Sequence, residues 1–165
     1  MTHPPSGDSV IAHTTAFCSA IEALAGFTPS LRAQAVRGIA AELERIAMHL
    51  STLSGIATDI GFALPAAAFG DLRTALINLT ARICGNRFGR GWIIPGGVRF
   101  DLDPELIQNA GQILTGVLKE FSEIEALFFD SSSALARMEE DSLRSRQNCS
   151  PGNNSGGAES SLPTG

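Results

Sequence analysis

Tyrosine is absent from the 165 residues, tryptophan occurs once and lysine once. With aromatic residues at 6%, Leu, Ile and Ala must fill most of any core. Cysteine is scarce too: Cys18, Cys84 and Cys149 stand far apart, and none forms a C-x-x-C pair. Such a set gives no disulfide framework and points to a reducing compartment. It also leaves no thiolate cluster for a redox metal. His13 and His49 have no further ligands at useful spacing, so no metal site is expected. The N-terminus lacks a charged segment followed by an apolar one, which excludes a secretory signal from the reading. The most apolar stretch, residues 46–70, is interrupted by His49, Asp59 and Pro65 and is not a membrane span. A net charge of −5 argues against general nucleic-acid binding. The phosphate-loop pattern G-x-x-x-x-G-K-[ST], the dinucleotide pattern G-x-G-x-x-G and an ordered Ser-His-Asp set are all missing.

What is present is helical periodicity. The pattern predicts an all-α bundle of four to five helices with one long central helix. It also predicts a Gly/Arg-rich crossover loop and a disordered C-terminal tail. Residues 1–8 read as a flexible lead-in, 9–144 as the helical domain and 145–165 as the tail, where Ser, Gly, Asn and Pro leave little to bury. Ile11, Phe17, Ile21 and Leu24 recur at helical spacing until Gly26. Val36, Leu43, Leu50 and Ala57 repeat every seven residues, and Ile39, Ile46, Leu53 and Ile60 repeat with an offset of three. Together they form an a/d seam over residues 31–60, about 45 Å long at 1.5 Å per residue. Gly61 and Pro65 close it.

A third helix runs from about Pro65 to Cys84, with Phe69, Leu72, Leu76, Leu79 and Ile83 on its apolar face and Gly85 as C-cap. Residues 85–101 form an ordered loop with a tight turn at Pro95-Gly96-Gly97, flanked by short extended pieces. Asp103-Pro104 opens a fourth helix as N-cap and first residue. Leu106, Ala110, Ile113, Val117, Phe121, Ile124 and Phe128 line its inner face, and Glu120, Glu123 and Glu125 its solvated face. A break at Phe129-Asp130-Ser131 precedes a short helix over 133–143.

Two features carry chemistry. Glu42, Arg45 and His49 fall within roughly 60° of one another on the long helix, beside the seam. The spacing alone fits either a solvated polar stripe or a strip facing a cofactor or partner. Arg82, Arg87, Arg90 and Arg99 frame the Gly-rich loop. They fit either a structural crossover or a surface that docks an anionic or acidic partner. Arg82-Ile83-Cys84-Gly85 starts like a nickel-ligand motif R-x-C-G-x-C, but Arg87 replaces the second cysteine.

The order of the segments resembles one family. HTTAFCSAIEALAG at 13–26 precedes RAQAVRGIAAELERIAMHL at 32–50 and ATDIGFALP at 57–65. A helix with Arg73, ARICGNR at 81–87 and IPGGVRFDL at 94–102 follow. This is similar to the large subunit shared by respiratory complex I (the 49-kilodalton, or D, subunit) and the membrane-associated [NiFe] hydrogenases. The HTTAF lead-in resembles the formate-hydrogenlyase branch. The resemblance implies a helical core packed on a small subunit that carries a [4Fe–4S] cluster, facing a membrane arm. In the full complex it implies electron transfer from NAD(P)H or a hydrogenase donor to quinone. The chain itself would bind no cofactor and would lie on the cytoplasmic side, peripheral to the inner face of the cell membrane.

The resemblance places Glu42, Arg45 and His49 facing the partner's iron–sulfur cluster, and Asp59, Arg87 and Pro95-Gly96-Gly97 on recurrent positions. Arg82, Arg87, Arg90, Pro95, Gly96 and Gly97 become docking candidates. The two C-x-x-C pairs of the hydrogenase branch are missing, as are the N-terminal β-hairpin with its quinone-site histidine and any tyrosine. Ala81 replaces a glutamate usual before R-x-x-G-x-R, and the resemblance ends after Met138-Glu139. The expectation is a central fragment that works only with partner subunits. The rival readings are a non-catalytic interaction module or truncated gene product, and a homodimer formed through the exposed long seam.

Overall fold

The computed structural model describes residues 9–132 and 135–139. Four helices dominate: α1 (Val10–Ala25), α2 (Leu31–Asp59), α3 (Ala63–Cys84) and α4 (Pro104–Asp130). Two short strands, β1 (Ile93–Ile94) and β2 (Gly97–Val98), interrupt the helices between α3 and α4. Residues 135–139 are helical, and the remainder of the expected fifth helix lies outside the described residues. So do the lead-in at 1–8 and the tail at 145–165.

Local chemistry sets most helix ends. The Ser30 hydroxyl accepts the Ala33 amide at 3.2 Å, and the Asp103 carboxylate accepts the Leu106 amide at 2.7 Å. Each satisfies an amide that has no partner inside its helix. Gly26 and Gly85 end α1 and α3 in the left-handed conformation, at φ of 65° and 74°. The third helix begins two residues earlier than the proline suggested. Pro65 sits inside the first turn, where its missing N–H costs nothing.

α2 and α3 pack as an antiparallel pair. The Ser54 hydroxyl donates to the Ala66 carbonyl at 2.8 Å near their junction, and Leu43 and Thr80 line one crevice farther along. The expected α3 face is buried in full: Phe69, Leu72, Leu76, Leu79 and Ile83. The α2 seam differs from expectation. Val36, Leu43, Leu50 and Ala57 are buried, but their companions are Ala33, Ala40 and Ala47. Of the predicted second row only Ile60 is buried; Ile46 and Leu53 lie at the flank, and Ile39 is 44% exposed. Alanine at 40 and 47 lets the helices approach closely, so the small residues take the centre and the large ones the edge.

α4 packs on α3. Its expected inner face holds: Val117 and Phe128 are buried, and Leu106, Ala110, Ile113, Phe121 and Ile124 pack against the core. Phe69 meets Phe121 and Phe128 with ring centroids 6.0 Å apart, and Phe62 stacks on Phe128. Arg137 donates to the Ile60 carbonyl at 2.6 Å, tying the last described segment to the α2 end.

α1 keeps one residue of the expected row, Ile11, inside and turns the other three out. It buries Val10, Ile11, Cys18 and Glu22, while Phe17, Ile21 and Leu24 face outward. The Pro95-Gly96 turn joins β1 to β2 in register Ile93↔Val98. Gly96 at φ 88° after proline meets the demand of a type II turn. Trp92 is fully buried and donates its indole N–H to the Phe100 carbonyl at 2.9 Å.

The loop is pinned to α1 at Gly89, whose φ is 68°. A Cβ there would fall 2.6 Å from Ile11 Cδ1 and 2.7 Å from Cγ1. Ile11 is buried in the core cluster and would have to shift, and the left-handed φ at Gly89 strains any L side chain there. Gly89→Ala should therefore destabilise the fold by about 2 kcal/mol or more through overpacking plus backbone strain. Chemical denaturation of the variant against the parent chain measures this, and an unchanged midpoint would contradict it.

Candidate functional site

Glu42, Arg45 and His49 stand together on α2, and all three are exposed. Arg45 pairs with Glu42 one turn away. The stripe borders the half-buried Ile46 and Leu53, so it sits beside the packed face as the spacing required. His13 and Asp59 are exposed as well, one on α1 and the other closing α2.

A second constellation escaped the sequence reading. Glu22 of α1 and Arg37 of α2 form a buried ion pair, each side chain 7% exposed. Arg37 donates to both carboxylate oxygens, Nη1 to Oε2 at 3.0 Å and Nη2 to Oε1 at 2.6 Å. It also donates to the carbonyls of Ile94 at 2.9 Å and Gly97 at 3.0 Å. Glu22 Oε1 accepts the Gly96 amide at 2.7 Å. The Pro95-Gly96-Gly97 turn is thus clamped between two helices. A clue was available: α1 holds no Asp, Lys or Arg, and Glu22 is its sole glutamate. The partner 15 positions away could not be read from periodicity.

Glu44, also unread, holds the other end of α1. Its carboxylate accepts the Ile11 amide at 2.7 Å and the Ala12 amide at 3.0 Å, replacing the side-chain cap that Ser9 does not supply. Glu44 lines a crevice with Ile11, Leu43, Arg73, Arg87 and Phe88. Arg73 Nε is buried there without a hydrogen-bond partner. Arg87 therefore shares a crevice with Glu44 and Met48, whereas Glu42, Arg45 and His49 are not among its lining residues.

Between Asp71 and Asp101 the chain holds five arginines, Arg73, Arg82, Arg87, Arg90 and Arg99, and no acidic residue. Arg82 makes a long contact to Asn109 at 3.4 Å. Arg87 and Arg90 are exposed, and among the described residues neither has a carboxylate within ion-pair reach. Arg32, by contrast, is paired with Asp101 at 2.7 Å and reaches the Leu102 carbonyl. Pro95 and Gly96 are exposed at the tip of the clamped turn.

Cys18 and Cys84 are buried free thiols. Burial pushes both above the ordinary thiol range, which disfavours the thiolate. Cys84 Sγ is engaged with the Thr80 and Asn86 carbonyls at 3.2 Å. Among the described residues no group of three or more His, Cys, Asp or Glu side chains stands close enough to hold a metal. No described helix is long and apolar enough to cross a membrane.

Residues 59–157 match the family described as respiratory-chain NADH dehydrogenase, 49 kDa subunit. The chain belongs to that family. The match passes Glu139, where the resemblance read from the sequence stops. The NADH-quinone oxidoreductase D subunit of Agrobacterium fabrum is 33% identical over 70% of the chain and 29% of its own length. Its counterpart in Caulobacter vibrioides, of the same description, is 34% identical with the same coverage. NADH-quinone oxidoreductase subunit 4 of Thermus thermophilus is 32% identical over 133 residues, 79% of the chain and 32% of its own length. A span covering 79% of 165 residues must reach across positions 36–130, and so across the stretch that holds Glu42, Arg45 and His49. The chain spans about a third of the length of these relatives.

Two measurements test this geometry. The Arg37 guanidinium, together with the Gly96 amide, holds the Glu22 carboxyl below the ordinary carboxylate range. The folded state then binds this proton more weakly than the unfolded one. The stabilisation is complete above about pH 4.3 and is lost as pH falls through the lowered value. Glu22→Gln should flatten that acid limb of a stability–pH profile and lower the neutral-pH melting temperature by on the order of 10 °C. A profile parallel to the parent's would contradict it. Separately, Cys18 and Cys84 should resist alkylation near pH 7.5 until the chain unfolds, read by peptide mass mapping. Labelling of either thiol at the rate of an exposed cysteine would show that the packing around it is open.

Proposed function

We propose that this chain acts as the central portion of a complex I/[NiFe]-hydrogenase-type large subunit. In that role it contributes to electron transfer from an NAD(P)H or hydrogenase donor to quinone, and only together with partner subunits. The observation that carries the reading is the alignment with Thermus subunit 4, which spans the α2 stripe, the Arg segment and most of α4. Glu42, Arg45 and His49 are free to face a partner because they lie outside the core. In the proposal His49 faces a [4Fe–4S] cluster on a small partner subunit and exchanges a proton as the cluster changes charge. The Arg45–Glu42 pair holds the neighbouring positions on that face. Arg87 and Arg90 dock an acidic surface, since among the described residues their charges are not spent on ion pairs. Membrane-arm subunits then hold the assembly peripherally at the inner face of the cell membrane.

A second reading, a non-catalytic interaction module, is favoured by one specific observation: Phe17, Ile21 and Leu24 of α1 lie exposed. Reconstitution distinguishes the two. The first reading expects one-to-one co-purification with a small iron–sulfur subunit of a complex of this family. It also expects a cluster reduction potential that varies with pH in the parent complex and varies less in the His49→Ala complex. An unchanged pH dependence would remove His49 from this role. Failure to associate would favour the module. Stoichiometric nickel in the isolated chain would refute both.

A further inference from the structure

Among the described residues, two buried side-chain polar atoms lack a hydrogen-bond partner, Thr15 Oγ1 and Arg73 Nε. Arg73 lines the crevice where α1, α2, α3 and the loop after α3 meet. The space at the centre of that crevice is about 20 Å³. It suits one small group and is far too little for a whole substrate. Ile11, Leu43 and Ile77 give it apolar walls. Apart from the arginines, the polar side chains around it are already engaged. Both carboxylate oxygens of Glu44 accept the amides that open α1, at 2.7 and 3.0 Å. The Thr80 hydroxyl donates to the Leu76 carbonyl at 3.2 Å. Among the described residues no ion pair joins Glu44 to Arg73 or Arg87. A buried N–H without an acceptor is costly, so it calls for an explanation in strain, function or a bound group.

We propose that this crevice binds one carboxylate, held by Arg73 from within and by Arg87 from the mouth. Charge selects the class. Two guanidinium groups line the crevice with one carboxylate, and the α1 amides already satisfy that carboxylate. One positive charge is left over. A monoanion balances it, whereas a phosphate dianion would exceed it and crowd Glu44. Shape then selects among monoanions. A guanidinium presents its N–H groups as a planar fork, which matches two oxygens lying in one plane. The apolar walls lower the local dielectric and strengthen that contact. Arg87 is exposed, so the anion enters from its side. Only the end of a molecule fits. A free short-chain acid presents such an end, and so does the tip of an Asp or Glu side chain from another protein. The inference concerns the chain by itself and does not rest on the electron-transfer reading.

Nuclear magnetic resonance of the full chain, carrying isotope-labelled arginine, tests the proposal. The Arg73 Nε–H signal is identified by its loss in Arg73→Lys. Acetate is titrated from ~0.1 to ~30 mM at constant ionic strength. The Arg73 signal should shift saturably, half-complete at a concentration on the order of a few millimolar, and the melting temperature should rise in parallel. Arg87→Gln should raise that concentration roughly tenfold or more while keeping the parent's circular dichroism. Arg90→Gln, whose position is not part of the crevice, should bind like the parent. A glutamate blocked at both backbone ends separates the two sources. Saturation by it as well as by acetate assigns the site to a protein side chain, and saturation by acetate alone assigns it to a free short-chain acid. An equal shift with chloride in place of acetate shows an adventitious ion only and overturns the proposal. So does a signal that neither carboxylate moves, or an Arg87→Gln chain that binds acetate like the parent.

Discussion

The ion pair between Glu22 and Arg37 decides where two of the structure's elements sit. Taking two charges out of water costs more than their attraction returns unless the remaining hydrogen-bonding capacity is filled. Here it is filled: Arg37 serves Glu22 twice and two loop carbonyls, and Glu22 takes a loop amide. The contacts bridge 15 residues to α2 and 74 to the loop. Each attached element has few other anchors: Trp92 and Ile93 for the loop, and Val10, Ile11 and Cys18 for α1. The β1–β2 ladder has two residue pairs, and such a hairpin is marginal alone. α1 offers the core little beyond Val10, Ile11 and Cys18. Its other end depends on a second glutamate, Glu44, reaching across from α2. α1 is therefore held by carboxylates at both ends, and its apolar stripe is left for other use.

This explains which parts of the fold were legible in the sequence. α3 and α4 were, because their large apolar residues point at the core and their ends carry local signals: Asp103-Pro104 and Gly85. α2 was half legible. Its length and its Val36–Leu43–Leu50–Ala57 row were visible, but the choice of second row depended on α3's approach, and alanine gives periodicity little weight. α1 was placed correctly along the chain, but only part of its row points inward. Hydrophobic spacing selects Ile11, Phe17, Ile21 and Leu24; Ile11 is buried, and the buried Glu22–Arg37 pair leaves the other three outside. The candidate stripe at Glu42, Arg45 and His49 was legible because it is local to one helix. The clamp was not, since an ion pair between separate elements has no spacing of its own.

The clamp also changes the meaning of the Pro95-Gly96-Gly97 turn. Read from sequence, it was one more part of an arginine-lined docking loop. In the fold, two of its carbonyl and amide groups are already committed to Glu22 and Arg37. The turn presents a fixed backbone edge, with Trp92 buried beneath as its anchor. Rigid placement lowers the ordering cost of any contact made there.

The arginines divide by the same logic. Arg32 and Arg37 are spent inside the molecule, on Asp101 and Glu22. Among the described residues Arg87 and Arg90 have no carboxylate in ion-pair reach, and they lie in a stretch with no acidic residue, on a chain whose net charge is negative. A local field opposite in sign to the whole favours one orientation of approach by an acidic partner. The α1 stripe, lacking carboxylates, lysine and arginine, exerts no such selection and gains only by excluding water. The two surfaces therefore differ in their response to salt: screening weakens attraction to the Arg segment, while it leaves apolar burial intact.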